Sequence, residues 1–262
     1  FHADDTQFSD QDGDGYGDNS AGVMPDACPT IFGTSDQMGT YGCNDADGDG
    51  YADSDDDFIT DGTQWTDSDS DGYGDEPTGN NPDMCPTVVG LSNMDRFGCP
   101  DSDLDGYSDP DPTGTNGPAW TELDGADLWP SDITQWVDAD GDGFGDNPSG
   151  TNGDDCPGVP GTSTQDRNGC PDTDGDGYSD PDAGWGAGDG ADAFPSDNSI
   201  WADADGDGVD DISDDSCPTV WGDSLNDRLG CPDTDGDGYS DPDSSWTATD
   251  GADVFPDDPT QW

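Results

Sequence analysis

The sequence predicts a mostly irregular fold, an elongated tandem array of disulfide-stapled repeats with little regular secondary structure and no conventional hydrophobic core. Three observations predict it. Leu, Ile, Val and Phe make up only 27 of 262 residues, a share too small to bury a core. Forty Gly and 21 Pro punctuate every segment, and no helical hydrophobic period is sustained, so only short strands or single helical turns are expected. The stretch Cys-Pro-Asp-Thr-Asp-Gly-Asp-Gly-Tyr-Ser-Asp-Pro-Asp occurs at 170–182 and 231–243, with a close variant at 99–111.

The internal similarity divides the chain into four repeats, 1–66, 67–137, 138–202 and 203–262. Each opens with, or soon reaches, an Asp-x-Asp-x-Asp-Gly loop, at Asp10, Asp67, Asp138 or Asp203. A cysteine pair follows, then a second loop from Asp45, Asp101, Asp172 or Asp233. A variable stretch closes each repeat and ends in an aromatic two residues before the next loop, at Phe8, Trp65, Trp136 and Trp201. Length differences fall in Gly/Pro/Asn/Thr segments such as 77–82, 110–118 and 147–153, where insertions cost little. Residues 255–262 echo 1–8, so the sequence begins and ends at one phase. The expectation is either a window on a longer array or a head-to-tail assembly. The absence of an initiator Met before Phe1 fits a processed chain or a section of a longer one.

Charge narrows the function. There are 65 acidic residues against three basic ones and a single histidine, a formal charge of −62. Neighbouring carboxylates at about 4 Å repel by roughly 1 kcal/mol even in water, so order must come from bound cations and covalent staples. The charge excludes nucleic acid as a partner and disfavours anionic lipid. No run of about 18 apolar residues exists, so no membrane insertion is expected.

The acid is almost all Asp, with Glu76 and Glu122 the two exceptions, and its spacing is that of a metal loop. Counting the first Asp as one, carboxylates fall at one, three, five and nine, glycine at six, and a backbone carbonyl at seven. Position one is Asp10, Asp45, Asp67, Asp101, Asp138, Asp172, Asp203 or Asp233. Position three is Asp12, Asp47, Asp69, Asp103, Asp140, Asp174, Asp205 or Asp235, and position five is Asp14, Asp49, Asp71, Asp105, Asp142, Asp176, Asp207 or Asp237. The carbonyl belongs to Tyr16, Tyr51, Tyr73, Tyr107, Phe144, Tyr178, Val209 or Tyr239. Position nine is Asp18, Asp53, Asp75, Asp109, Asp146, Asp180, Asp211 or Asp241. That order matches the first part of an EF-hand loop, without its closing bidentate Glu. Candidates to complete the sphere are Asp26, Asp83, Asp154 and Asp215 before each first cysteine. Others are Asp55, Asp111, Asp182 and Asp243 after each second loop, and, farther on, Asp127, Asp132, Asp192, Asp197, Asp253 and Asp258. Oxygen ligands in this number select Ca2+. Magnesium keeps its water, and zinc would need imidazole or thiolate, which the lone His2 and oxidised cysteines do not supply. Two to four ions per repeat would total on the order of 8–16.

The cysteines form four pairs 14 or 15 residues apart, Cys28 and Cys43, Cys85 and Cys99, Cys156 and Cys170, Cys217 and Cys231. They predict an oxidising compartment. Pairing within each repeat is favoured, with links between neighbouring repeats as the alternative. Arg96, Arg167 and Arg228 all stand three before the second Cys, where bidentate bonds to carboxylates or carbonyls under the staple are expected, the alternative being a ligand-binding arginine. The rings at position seven, with nine tryptophans, are expected to form small clusters between ion sites. The other reading of these rings is an exposed platform for sugars.

Taken together, Asp138–Asp146, Asp154-Asp-Cys-Pro157 and Asp166-Arg-Asn-Gly-Cys-Pro-Asp-Thr-Asp-Gly-Asp-Gly177 resemble thrombospondin type 3 repeats in their microbial extracellular form, over essentially the whole chain. The resemblance implies a chain wrapped around calcium ions. The Asp-Gly-Ala-Asp and Phe-Pro-x-Asp stretch lengthens each repeat beyond the animal form. The function expected is an extracellular or cell-surface structural protein acting as filament subunit, stalk or spacer. The alternative is a calcium-dependent adhesion module binding glycans or a protein partner. Enzyme activity is not expected, since there is no lysine, one histidine, and the carboxylates are committed to metal. A dockerin-like module fits the cysteine pairs and long spacing poorly. No N-glycosylation acceptor is present, because Asn147 precedes Pro148, whereas O-linked glycans on the Thr/Ser-rich loops are compatible with the sequence.

Overall fold

The computed structural model describes residues 5–115 and 117–262. Part of the N-terminal echo, with His2, and Asn116 of the second variable stretch lie outside them. Among the described residues the regular elements are two single 3-10 turns, Glu122–Asp124 and Ala187–Asp189, and a few isolated bridges such as Gly17 with Pro25 and Gly74 with Pro82. The chain is thus irregular, as its glycine and proline content predicts. It divides into two compact units, Phe1–Trp136 and Val137–Trp262, each carrying two disulfides.

What replaces helix and sheet is a loop folded on its own aspartates. In the loop from Asp172, the Oδ1 and Oδ2 of Asp172 accept the N–H groups of Gly175 and Gly177, at 2.7 and 3.0 Å. Asp174 accepts from Asp176 at 3.2 Å, Asp176 from Tyr178 at 2.8 Å, and Asp180 from Thr173 at 3.1 Å. The Asp180 N–H closes the loop on the Pro171 carbonyl at 2.7 Å. The loop from Asp138 repeats the pattern through Gly141, Gly143, Asp142, Phe144 and Ala139. Short Asp side chains reach their own backbone two to five residues on, which is why Asp and not Glu fills these loops.

Position four has a positive φ. Glycine holds it in six loops, for instance Gly175 at +83°, but Ser70 at +69° and Leu104 at +70° hold it in the other two. A leucine there pays the left-handed penalty that glycine avoids.

Each staple lies between two loops and is built on a buried serine. Ser35, Ser92, Ser163 and Ser224 are fully buried. Each hydroxyl accepts the N–H of the second cysteine, at 2.9, 3.1, 3.0 and 3.2 Å. Each also donates to a carbonyl beneath the staple, that of Thr40, Arg96, Arg167 or Arg228. The staple is tied forward by paired N–H groups on the position-six carbonyl of the next loop, as with Thr164 and Gln165 on Gly177 at 2.8 and 2.9 Å. The buried apolar residues are five cysteines and Ala52, Ala126, Ala191 and Ala252, while Asp, Ser and Gln make up most of the buried polar ones.

The rings pair rather than pool. The position-seven tyrosine of each second loop stacks on the tryptophan that closes the segment. The pairs are Tyr51–Trp65, Tyr107–Trp136, Tyr178–Trp201 and Tyr239–Trp262, with centroids 4.8–5.3 Å apart. In the first unit, Tyr16 stacks on Tyr41 and Tyr73 tilts over Phe97. Each such pair is worth about 0.5–1.5 kcal/mol beyond its burial.

Leu104 is exposed, so replacing it removes strain without opening a cavity. Leu104→Gly is expected to raise unfolding stability by about 0.5–1 kcal/mol, the left-handed penalty less the entropy cost of glycine. Thermal denaturation of the two proteins side by side checks it.

Candidate metal centres

The carboxylates at positions one, three and five converge in the loops opening at Asp10, Asp45, Asp67, Asp101 and Asp138, and in three more groups. In each, the oxygens lie within 4.8 Å of one another. Exposed acidic groups often gather without an ion, so convergence alone decides little. The deciding feature is a fourth carboxylate delivered from outside the loop.

Asp26, Asp83 and Asp154 each send their backbone N–H to the position-eight carbonyl of the preceding loop, that of Gly17, Gly74 or Gly145, at 2.7–2.8 Å. Their Oδ1 accepts the N–H of Cys28, Cys85 or Cys156 at 2.6–2.7 Å. Asp127, Asp192 and Asp253 do the same at the second loops. Their N–H groups bond Ser108, Ser179 and Ser240 at 2.9–3.0 Å, and their Oδ1 atoms accept from Trp129, Phe194 and Phe255 at 2.7–2.8 Å. Asp215 follows the same pattern, its Oδ1 accepting the Cys217 N–H at 2.6 Å and its own N–H donating to the position-eight carbonyl, here that of Asp210, at 2.9 Å.

In all seven the other oxygen, Oδ2, is buried with no hydrogen-bond partner. The position-three aspartates of all eight loops also leave a buried oxygen without a partner, and so do Asp49, Asp105, Asp176 and Asp237 at position five of the second loops. At position five of the first loops, Oδ2 instead accepts an N–H from inside the staple. Gly33, Gly90, Gly161 and Gly222 donate to Asp14, Asp71, Asp142 and Asp207 at 2.8–3.2 Å. The remote aspartates other than Asp215 are at least nine-tenths buried. Burying a carboxylate oxygen without a donor costs several kcal/mol. A hard cation bound by oxygen is the ligand this donor set fits.

The electrostatics agree. Burial first, and the surrounding carboxylates second, push Asp83 and Asp127 up to about 7, and Asp105, Asp154 and Asp192 up to about 6. Asp26, Asp56 and Asp215 are raised for the same reasons. The neighbours of Asp154 are Asp142, Asp140 and Asp146, and those of Asp192 are Asp176, Asp174 and Asp180, which places each remote carboxylate against its own loop.

The other sequence candidates sit elsewhere. Asp182 and Asp243 pair with Arg167 and Arg228 at 2.8 and 2.7 Å, and Asp55 accepts from the Thr40 hydroxyl. Asp182 is held below the carboxylate range by the Gly184 N–H and by Arg167. Asp111 accepts from Thr113 and Thr115 within its own turn. Asp132, Asp197 and Asp258 cap turns through Thr134, Ser199 and Thr260.

Of the three arginines, Arg167 and Arg228 each make one carboxylate contact rather than a fork. Their planes lie over Trp120, Trp185 and Trp246, 5.4–5.6 Å from the ring. Nη2 of Arg96 and of Arg228 also reaches the sulfur of Cys85 or Cys217, at 3.3 and 3.1 Å.

Two residue sets escape the sequence reading. Asp56 is the counterpart of Asp127 in the first segment, its Oδ1 accepting the Phe58 N–H at 2.7 Å. It stands at the same distance before Trp65 as Asp127 does before Trp136, and that spacing was the available signal. The buried serines of the staples carried a signal too, seven or eight residues before each second Cys.

Asp154→Ala is expected to lower bound divalent cation by one equivalent, whereas Asp182→Ala leaves the count unchanged, as measured by equilibrium dialysis. A second expectation concerns the metal-free chain. Asp83, Asp105, Asp127, Asp154 and Asp192 have folded values raised to about 6–7, against about 3.9 when unfolded. The raised value makes their contribution full below about pH 4 and lost as pH climbs through 6–7. Chelator-treated protein should therefore resist urea better at pH 5 than at pH 8.

Comparison with models of known protein families finds no match, and comparison with curated proteins finds no significantly similar sequence.

Proposed function

We propose that the chain is an extracellular structural protein, a calcium-rigidified repeat array that serves as filament subunit, stalk or spacer. The observation that carries this reading is the buried Oδ2 of Asp26, Asp83, Asp127, Asp154, Asp192, Asp215 and Asp253, without a donor and facing its own Asp loop. Bound calcium supplies the positive charge that lets these carboxylates stay ionised and close together. The residues that would hold it are positions one, three, five and nine of each loop, the position-seven carbonyl, and the remote aspartate. Asp56 fills that last role in the first segment.

Four disulfides and no unpaired cysteine support an oxidising, extracellular setting. No helix of the described residues is long and apolar enough to cross a membrane. The likeness to thrombospondin type 3 repeats points the same way. Trp65, Trp136, Trp201 and Trp262 are stacked on tyrosines, and Trp120, Trp185 and Trp246 lie under arginines. Rings committed to such pairs favour a structural role over a sugar-binding one. The loop aspartates accept backbone N–H groups of their own turns, which favours a structural role for them.

Electron microscopy of the purified chain in millimolar calcium, repeated after chelation, tests the proposal. Fibres or discrete rods that disassemble or collapse on chelation are expected. Particles indifferent to chelation would overturn the calcium reading.

A further inference from the structure

The eight loops differ at position five. In the second loops, opening at Asp45, Asp101, Asp172 and Asp233, the Oδ1 of Asp49, Asp105, Asp176 and Asp237 accepts the position-seven N–H at 2.8–3.0 Å, and Oδ2 is buried without a partner. In the first loops, opening at Asp10, Asp67, Asp138 and Asp203, the Oδ1 of Asp14, Asp71, Asp142 and Asp207 makes the same bond at 2.9 Å. Their Oδ2, however, accepts the N–H of Gly33, Gly90, Gly161 or Gly222. That donor is fixed in place. Each of these glycines lies within the disulfide ring, and a Cβ added to it would fall 2.0–2.1 Å from the carbonyl carbon of Cys43, Cys99, Cys170 or Cys231, so the segment is pressed onto the staple. The other inward oxygens match between the two types. Position three leaves a buried oxygen without a partner in every loop, and the remote aspartate does so in seven.

We infer that the loops form two classes of cation site, in which the second loops fill first and hold calcium about tenfold or more tighter than the first loops. This rests on the calcium reading and adds the order of loading to it. The glycine N–H acts on the first loops in two ways. It solvates the position-five oxygen while the site is empty, and it takes a lone pair and offsets charge that a cation would otherwise meet. In the second loops the same oxygen has no donor, so the empty site is the less stable one and a cation gains more on entering. The order of loading sets a regulation by calcium concentration. Between the two affinities, Asp127, Asp192 and Asp253 hold the ends of the variable stretches against filled second loops while the first loops remain unfilled. A falling calcium level therefore empties the staple side first.

The test is calorimetric titration of the full metal-free chain with calcium, beside Asp154→Asn and Asp192→Asn. Accumulated charge also weakens later ions on a chain of −62, so the titration is run in about 1 M sodium chloride, where the Debye length is about 3 Å, and the order is assigned by residue. The two aspartates serve the first and second loops of one segment and are matched. Each is at least nine-tenths buried, accepts one backbone N–H through Oδ1 and leaves Oδ2 without a partner, so asparagine keeps the acceptor and removes the charge. Wild type is expected to bind in two steps of equal stoichiometry. Asp192→Asn should remove one equivalent from the tight step, and Asp154→Asn one from the weak step with the tight step intact. Near-ultraviolet circular dichroism checks the fold of each variant, and Asp83→Asn with Asp127→Asn repeats the comparison in the first unit if either misfolds. A single step in wild type, or both variants drawing on the same step, overturns the two classes and leaves the calcium reading standing. Wild type with no saturable calcium binding overturns both.

Discussion

Everything in this molecule is arranged around carboxylates that cannot be left alone. Each loop aspartate gives an oxygen to a backbone N–H, which fixes the loop, and many keep a second oxygen turned inward. Where a fourth carboxylate arrives from outside the loop, as Asp154 does beside Asp138, Asp140 and Asp142, three half-buried carboxylates and one fully buried one share a pocket. Desolvating even one unpaired ion costs several kcal/mol, and total domain stability is of order 5–15 kcal/mol. A chain with clusters of this kind cannot hold them ionised without positive charge. The raised values of Asp83 and Asp127, about 7, are the same constraint seen from the proton's side. The pocket accepts a proton where no better cation is offered.

The staples act on this electrostatic problem. At each first loop the remote aspartate stands two residues before a cysteine, and the glycine that reaches the position-five carboxylate lies inside the disulfide loop. The bond therefore restricts the unfolded chain by about 3 kcal/mol and also holds carboxylates on both sides of the pocket. The second loops rely on a different anchor. Their remote aspartate follows the variable stretch, and in three of four segments an Asp–Ser–Trp–Arg cluster pins that stretch down. In the third segment Asp166 accepts from the Ser179 hydroxyl at 2.6 Å and from the Trp185 indole N–H at 3.0 Å, while Arg167 covers the indole and pairs with Asp182. Burial works against the Asp166 charge, but the Ser179 hydroxyl and the N–H groups around it hold its carboxyl below the usual range. This aspartate stays charged without a metal because donors surround it.

Sequence spacing made the loops legible because every ligand there is local. Positions one to nine need only the chain's own turns, so Asp172, Asp174, Asp176 and Asp180 could be named without a fold. The remote carboxylates were harder, since their choice depends on which segment folds back. Asp154 was visible from its fixed place before Cys156. Asp182 stood at an equally regular place, yet regularity there serves Arg167. Asp56 went unread because the first segment lacks the insertion that marks its counterparts. The irregular character of the fold followed from composition, but the buried serines did not. A serine in a polar chain looks like any other until the staple closes over it.

Departures from the pattern show which contacts are coupled. The first segment has Gly39, Thr40 and Ala52 where the others have Asp, Arg and Ser, and it has no indole between the second loop and the closing tryptophan. All four members of the cluster are missing together, and Thr40 bonds Asp55 in the arginine's stead. A second exchange occurs at the last first-type loop. In the first unit Gln7 and Gln64 are buried against Gly17 and Gly74, where any Cβ would strike the glutamine. They bond Asn19 and Val23, or Glu76 and Asn80. In the last segment Ile200 stands where the glutamine would be and Asp210 where the glycine would be. With the glutamine gone the glycine is no longer required, and Asp210 caps its own turn by accepting the Ser213 N–H at 2.8 Å. Residues that change together in this way are held by one contact, and that contact, rather than the residue type, is what each segment keeps.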